Sequence, residues 1–261
     1  IIKPNMEKLS KVLIIGAHGM LGSQLQQVFA DVAPILWGHT DLDIANRTEV
    51  IAKITQLQPT VIINAAAFTA VDDCETKQDV AMQVNGLAPG YLAEAAKQVR
   101  AALVHYSTDY IFAGDNSAGY TEDVGPLQPV NVYGETKAAG ERAIQAQVDA
   151  TWQAYYIVRT AWLYGPNGKN FVDTMIQLGR TKPQLKVVHD QHGSPTYTLD
   201  LARQTRVLLE GNYAGGIYHA TNSGQCTWFE FASEALRLKG ITTPLVPCTT
   251  ADFPRPARRP A

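Results

Sequence analysis

The sequence predicts an α/β protein: a doubly wound parallel sheet joined to a second, smaller α/β lobe. Short β-branched runs alternate with amphipathic helical stretches through the first 160 residues, the rhythm of a parallel sheet covered on both faces. A glycine-rich turn joins the first of those runs to the first helix, and beyond residue 165 the alternation loosens into turn clusters. With 261 residues, 46% hydrophobic and 18% charged, the chain can bury a core of that size and is not intrinsically disordered.

Val12-Leu13-Ile14-Ile15 reads as a buried strand ending at Gly16, and helical spacing follows at Leu21, Leu25, Val28 and Phe29. Ile35-Leu36-Trp37 is the second strand. Asn46-Arg47-Thr48-Glu49 resembles a capping box opening a helix through Val50, Ile51, Ile54 and Leu57, stopped before Pro59. Thr60 to Ile63 and Ala101 to Val104 are the next strands, separated by a long Ala-rich helix over residues 79–99, and Tyr155 to Val158 is a further strand. Gly165-Pro166-Asn167-Gly168 is a turn cluster, after which two helices are legible, Leu199 to Leu209 and Trp228 to Leu238. The expected division puts one domain at 6–165, with a return segment near 190–210. The smaller lobe takes 166–189 and 211–261 and is where substrate specificity is expected.

Charge and cysteine content exclude several classes. A net charge of −2 and a pI near 6.3 rule out the basic footprint of a non-specific nucleic-acid binder or a membrane-surface helix. No apolar stretch approaches the ~20 residues needed to cross a bilayer. Cys74, Cys226 and Cys248 are widely spaced, without a CxxC pair, which fits a reducing compartment and no structural zinc. Ile1 to Asn5 carry no signal-peptide pattern and Met6 is the expected start, so a cytoplasmic protein is expected.

Gly16-Ala17-His18-Gly19-Met20-Leu21-Gly22 spaces its glycines as GxxGxxG between strand and helix. One glycine makes the tight turn, one lets backbone N–H groups approach a pyrophosphate, and one packs helix on strand. An ordinary glycine turn is the plainer reading, but the strand before and helix after favour a dinucleotide. An acidic residue closing the second strand would accept ribose hydroxyls and repel a 2′-phosphate. Here the strand runs into Gly38-His39-Thr40, with no carboxylate before Asp41. His39 thus either faces the ribose, leaving room for NADPH as well as NADH, or is a solvated loop histidine.

Tyr133 and Lys137 form a YxxxK pair on one helix face. An ammonium beside a phenol favours the phenolate and is expected to lower its pKa from about 10. Upstream, Tyr106-Ser107-Thr108-Asp109 closes a strand with a hydroxyl beside the same cleft. An accidental Tyr/Lys pair is common, whereas the whole set behind a glycine loop is specific.

With these residues in place the sequence resembles the extended short-chain dehydrogenase/reductase family, a Rossmann-fold family. The resembling runs are Asn64 to Asp72, His105 to Phe112, Asn131 to Lys137, Arg159 to Tyr164 and Asp190 to Thr196, with an echo at Arg255 to Pro260. Members normally continue past that echo into a closing helix, so this chain is expected to be a clipped one. The resemblance implies reduction of the 4-keto group of a dTDP-linked sugar, dTDP-4-dehydro-L-rhamnose to dTDP-L-rhamnose, a cell-surface polysaccharide precursor. It implies Gly19, Met20 and Leu21 on the pyrophosphate, His39 at the ribose, and Asp43 and Ile44 near the adenine. It also implies Ala67, Phe68, Thr69 and Tyr106 along the cofactor channel and Thr108 and Asp109 facing the sugar. Tyr133 would be the proton donor, Lys137 would hold the nicotinamide ribose, and Trp162 would pack on the sugar ring. Without the resemblance Trp162 reads as a core aromatic. Asn85 either supports the lysine or serves a cap or kink near Pro89.

Rival readings are a 4,6-dehydratase or 4-epimerase of the same family, holding NAD tightly, and a non-catalytic regulatory subunit resembling these reductases. Dehydratases carry Thr-Asp-Glu, where this chain has Thr108-Asp109-Tyr110. Some members bridge a homodimer through Mg²⁺ held by carboxylates. Gln24 stands where one of these aligns, so neither Mg²⁺ nor the homodimer is fixed by the sequence.

Overall fold

A computed structural model describes residues 9–211 and 213–260, so the expected start at Met6 lies outside the described residues. The first strand, β1 (Val12–Ile15), is buried at all four positions and feeds through the glycine turn into α1 (Met20–Val28). β2 (Ile35–Trp37) follows. α2 (Arg47–Leu57) opens on Asn46, whose side chain accepts from the Glu49 N–H, and ends on a left-handed Gln58 ahead of Pro59. β3 (Val61–Asn64) is again buried throughout.

The expected single helix over 79–99 is broken. A short α3 (Val71–Cys74) precedes α4 (Gln78–Ala81), a π-helical segment Met82–Leu87 and α5 (Ala88–Val99). In an unbroken α-helix the Pro89 ring would meet the carbonyl four residues back, that of Asn85. Widening the turn relieves the clash. β4 (Ala102–Thr108) runs four residues further than the apolar run foretells, and all seven of its residues are buried. α6 (Val132–Gln145) and β5 (Tyr155–Thr160) complete the first half.

Beyond β5 lie β6 (Leu163–Tyr164), α7 (Phe171–Thr181), β7 (Leu185–Val188), β8 (His192–Gly193) and β9 (Thr196–Tyr197). They are followed by α8 (Thr198–Glu210), β10 (Gly216–His219), β11 (Cys226–Thr227), α9 (Trp228–Leu238) and β12 (Leu245–Cys248). The main sheet has the order β2-β1-β3-β4-β5-β10, with every pair parallel. Strand order reverses between β1 and β3. In an open α/β sheet that reversal opens a crevice at the carboxyl ends of the strands.

The core fills the space between the sheet and its helices, with Leu13, Ile14, Ile62, Ile63, Leu103 and Val104 at its centre. A second cluster, Leu185, Val187, Ala232 and Leu236, packs the β7/β12 pair against α7 and α9. The return to the main body is longer than expected. After α8, β10 pairs with β5 in the main sheet, so residues up to His219 belong with it rather than with the lobe. Gly216 to His219 carry only one aliphatic residue, which hides a strand that takes its partner from β5. The C-terminal run also comes back: the Asn131 side chain donates to the Arg258 carbonyl at 2.7 Å, and Arg259 pairs with Asp72 at 2.9 Å.

Candidate active site

The glycine turn is shaped by backbone contact. Gly16 has φ +74°, and a Cβ there would lie 2.6 Å from the Ala66 nitrogen. A Cβ on Gly22 would lie 2.2 Å from the Gly16 carbonyl oxygen. The turn is tied to β2, since the Gly16 and Ala17 N–H groups donate to the Trp37 carbonyl at 2.9 and 3.2 Å. Gly19 caps α1 without any side-chain bond, so the helix start presents bare N–H groups. Leu21 is buried, and Met20 is half-buried against Gly168. The Asn167 side chain donates to the Ser23 hydroxyl at 3.2 Å, which lays the 165–168 turn over this helix start.

His39 is exposed just past β2. Asp41 folds back so that its carboxylate accepts from the Gly38 N–H at 2.7 Å, and the His18 ring occupies the space a Cβ on Gly38 would need. The strand end that lacks a carboxylate in sequence therefore has one nearby in space. Asp43 is exposed and caps the Ala45 N–H, and Ile44 is buried.

After β3, Ala67 and Phe68 are half-buried and Thr69 is exposed. Asn85, in the π-helical segment, brackets Phe68: its Oδ1 accepts from the Phe68 N–H at 2.8 Å and its Nδ2 donates to the Phe68 carbonyl at 2.9 Å. Asn85 thus fixes this loop rather than touching Lys137. Tyr106 sits in the core with its hydroxyl 2.7 Å from Thr205 on α8, and its carbonyl accepts from Lys137.

α6 is set by Asn131, whose side chain accepts from the Gly134 N–H, and by the bare Gly134, where a Cβ would lie 2.1 Å from the Tyr110 carbonyl. That close approach brings the start of α6 against the end of β4. The Tyr133 and Tyr110 rings meet edge to face with centroids 5.5 Å apart. Thr108 donates to the Asp109 carboxylate at 2.9 Å and accepts from the Tyr110 N–H. Desolvation lifts Asp109 to about 6, against the Thr108 hydrogen bond. The expected lowering of the Tyr133 phenol is not found. Burial pushes it up, Asp109 and Tyr110 push the same way, and only Thr108 opposes them. The Lys137 ammonium is turned aside: it donates to the Tyr106 carbonyl at 2.6 Å and lies 3.3 Å from the His105 ring. Burial brings Lys137 down to about 8.

A cleft of about 580 Å³ opens at the carboxyl ends of β4, β5 and β10, lined by Asp109, Tyr110, Trp162, His192 and His219 among others. Trp162 has φ +47°, and its ring stacks on Trp228 at 3.4 Å between centroids. The lobe holds that platform in turn, as the Trp228 indole donates to Gln191 at 3.1 Å.

The family model described as the RmlD substrate binding domain matches residues 10–261. A dTDP-4-dehydrorhamnose reductase of Streptomyces griseus is 45% identical over 257 residues, covering 95% of this chain and 83% of that one. The crystal structure of a dTDP-4-dehydrorhamnose reductase from Clostridium acetobutylicum aligns with TM-score 0.89 at 46% identity, covering 96% of this chain and 88% of that one. One from Bacillus anthracis, in complex with NADP, aligns with TM-score 0.91 at 39% identity, covering 97% and 89%. The chain belongs to the RmlD family.

In this RmlD-family chain the structure gathers Thr108, Asp109, Tyr133 and Lys137 at one corner and leaves Trp162 across the cleft on the lobe side. Sequence reading missed Asn64, His105, Asp41 and Trp228. Asn64 and His105 both stand in runs that resemble the family, but nothing in either local pattern says that the two lie side by side. Gln24 is buried, and among the described residues no three His, Cys, Asp or Glu side chains are grouped to hold a metal ion. No helix among the described residues is long and apolar enough to cross a membrane.

Proposed function

We propose that the protein reduces the 4-keto group of dTDP-4-dehydro-L-rhamnose to give dTDP-L-rhamnose, using NADPH or NADH. The observation that supports this most is the gathering of Thr108, Tyr133 and Lys137 at the end of β4, on the same sheet edge as a glycine turn, in a chain 45% identical to a dTDP-4-dehydrorhamnose reductase. The turn fits a dinucleotide: side chains would collide with backbone at Gly16 and Gly22, and the uncapped start of α1 suits a pyrophosphate. Gly19, Met20 and Leu21 would hold that group, with His39, Asp43 and Ile44 at the adenosine end and Ala67, Phe68 and Thr69 along the channel. When bound, the reduced nicotinamide supplies the hydride.

The residues of the chain do the rest. Negative charge develops on the sugar oxygen, and hydrogen bonds there stabilise the transition state more than the ground state. Tyr133, held well above neutral pH, stays protonated and so remains a loaded donor. Asp109 lines the cleft with Thr108 donating to its carboxylate from behind, and Trp162, on the far side of the cleft, would offer an aromatic face to the sugar. The three free cysteines suit a reducing setting, and we place the protein in the cytoplasm.

The test is to mix the protein with dTDP-4-keto-L-rhamnose and each reduced cofactor and follow the nicotinamide absorbance. Oxidation in proportion to sugar is expected. Dehydration of dTDP-glucose without net cofactor turnover would show a dehydratase instead.

A further inference from the structure

Beneath the catalytic corner runs a chain of hydrogen bonds that the mechanism above does not use. The Ala66 N–H donates to Asn64 Oδ1 at 3.1 Å, which fixes the orientation of that amide. Asn64 Nδ2 therefore faces His105 Nδ1 at 3.0 Å. An amide nitrogen only donates, so Nδ1 accepts, and a neutral imidazole then carries its proton on Nε2. The ring is neutral, since burial and the charge of Lys137 hold it well below the ordinary histidine range. Nε2 lies 3.3 Å from Lys137 Nζ. An ammonium also only donates. Two N–H groups thus oppose each other whenever Lys137 is charged, and the conflict ends when the neutral amine offers its lone pair.

We propose that Asn64 and His105 are positioning residues that present an N–H to Lys137, disfavouring its ammonium and stabilising its neutral amine. The use of this device rests on the reductase reading above; its existence does not. Once Tyr133 has given its proton to the sugar oxygen, the phenolate must regain one. When that proton comes from Lys137 by way of solvent in the site, an Nζ–H bond breaks, the phenol O–H forms, the amine left behind accepts from His105 Nε2–H, and Lys137 later regains its proton from water.

Among the described residues, other groups facing Lys137 do not cancel the effect. Glu141, one turn on along α6, favours the ammonium, but Arg159 of β5 engages it at 2.7 and 3.0 Å in a buried pair. Tyr133 shares the helix face, with Asp109, Tyr110 and Cys74 beyond it as its own neighbours. β3 contributes Asn64 and the π-helical segment Asn85, neither of which titrates.

The test is nuclear magnetic resonance of the whole protein. Long-range proton–nitrogen spectra of histidine-labelled protein should show His105 protonated at Nε2 and bare at Nδ1. In Asn64→Asp a carboxylate accepts from Nδ1–H, inverts the tautomer and turns Nε2 into an acceptor for the ammonium. The Lys137 Cε resonance, assigned by its loss in Lys137→Met, should titrate near pH 8 in the parent protein. Its midpoint should rise by about one pH unit or more in Asn64→Asp, and likewise in His105→Gln, whose amide oxygen can accept. A parent ring protonated at Nδ1, or Lys137 midpoints unchanged in the variants that fold, overturns the proposal. None of these readings needs turnover. Protein that shows the shifts yet oxidises no NADPH with the sugar nucleotide refutes the reductase reading and leaves this one standing.

Discussion

The glycine turn after β1 and the polar corner after β4 open on the same edge of the sheet, yet they are built in opposite ways. The turn works by omission: at Gly16 and Gly22 there is room only for hydrogen, and the helix start carries no side-chain cap. The corner works by crowding. Thr108, Asp109, Tyr110, Tyr133 and Lys137 are packed together, and burial displaces the acid–base behaviour of most of them. Binding a phosphate needs shape and bare N–H groups, which the backbone supplies. Moving a proton needs groups held away from their solution behaviour, which only desolvated side chains supply.

That contrast is broken most sharply at the corner by Tyr133→Phe, which keeps the ring and removes the proton. Turnover should fall by about 10² to 10⁴, while cofactor affinity measured by fluorescence titration stays near that of the parent. Turnover close to the parent would remove Tyr133 from the chemistry. The opposite defect is expected at the turn. Gly22→Ala places a carbon 2.2 Å from one backbone oxygen and 2.6 Å from another, and neither can move without dismantling the turn. Cofactor affinity should drop on the order of a hundredfold, through loss of the charge-assisted hydrogen bonds to the phosphates. Normal cofactor binding by the Gly22→Ala variant would show that the phosphates lie elsewhere.

Asp109→Asn separates the two regions by pH. The carboxyl sits at about 6 in the folded protein against an ordinary value of 3.8, because burial disfavours its charge. A raised carboxyl adds stability only while protonated, and that contribution disappears as pH rises through about 6. Near pH 4 the variant and parent should therefore be similarly stable. At pH 8 the variant should gain up to about 3 kcal/mol in urea unfolding, the most that two units of displacement can yield. Equal stabilities at both pH values would mean that Asp109 is better hydrated than its position implies.

The opposite constructions also explain what could be read in advance. Spacing alone exposes the turn, because glycines between a strand and a helix leave few other uses. β1, β2, α2 and β5 follow from apolar periodicity for a similar reason: each pattern is local. β4 joins the apolar run from Ala102 to the hydroxyl-bearing end read at Tyr106 to Asp109, and β3 and β5 flank it so that even His105, Ser107 and Thr108 are buried. The helix over 79–99 hides its π-helical segment, since Pro89 signals a break but not how the chain absorbs it. At the site the residue types were legible and the pairings were not. That Lys137 turns to His105, or that Trp162 finds Trp228, depends on residues far apart in the chain.

The smallest expected effect lies at the end of β2, where the two modes of construction meet. Here the fold adds to the sequence: the Asp41 carboxylate returns to the strand end but spends one oxygen on the Gly38 N–H, beside the His18 ring. A carboxylate engaged in this way repels a 2′-phosphate less than one carried on the last strand residue, and Thr40 can donate to a phosphate oxygen. No arginine stands in the Gly38 to Asp43 loop to clamp the phosphate in bidentate fashion, so NADPH should be favoured over NADH only modestly. His39→Asp puts a free carboxylate at the exposed position and should weaken NADPH about several-fold more than NADH. Asp41→Asn removes the existing charge and should move the ratio the other way by a smaller factor, because this site is exposed and screened. The comparison is kcat/KM for both cofactors across the three proteins. A ratio that moves with Asp41 but not with His39 would assign the ribose end to the folded-back carboxylate. A ratio unchanged in both would mean that this strand end does not face the 2′ position at all.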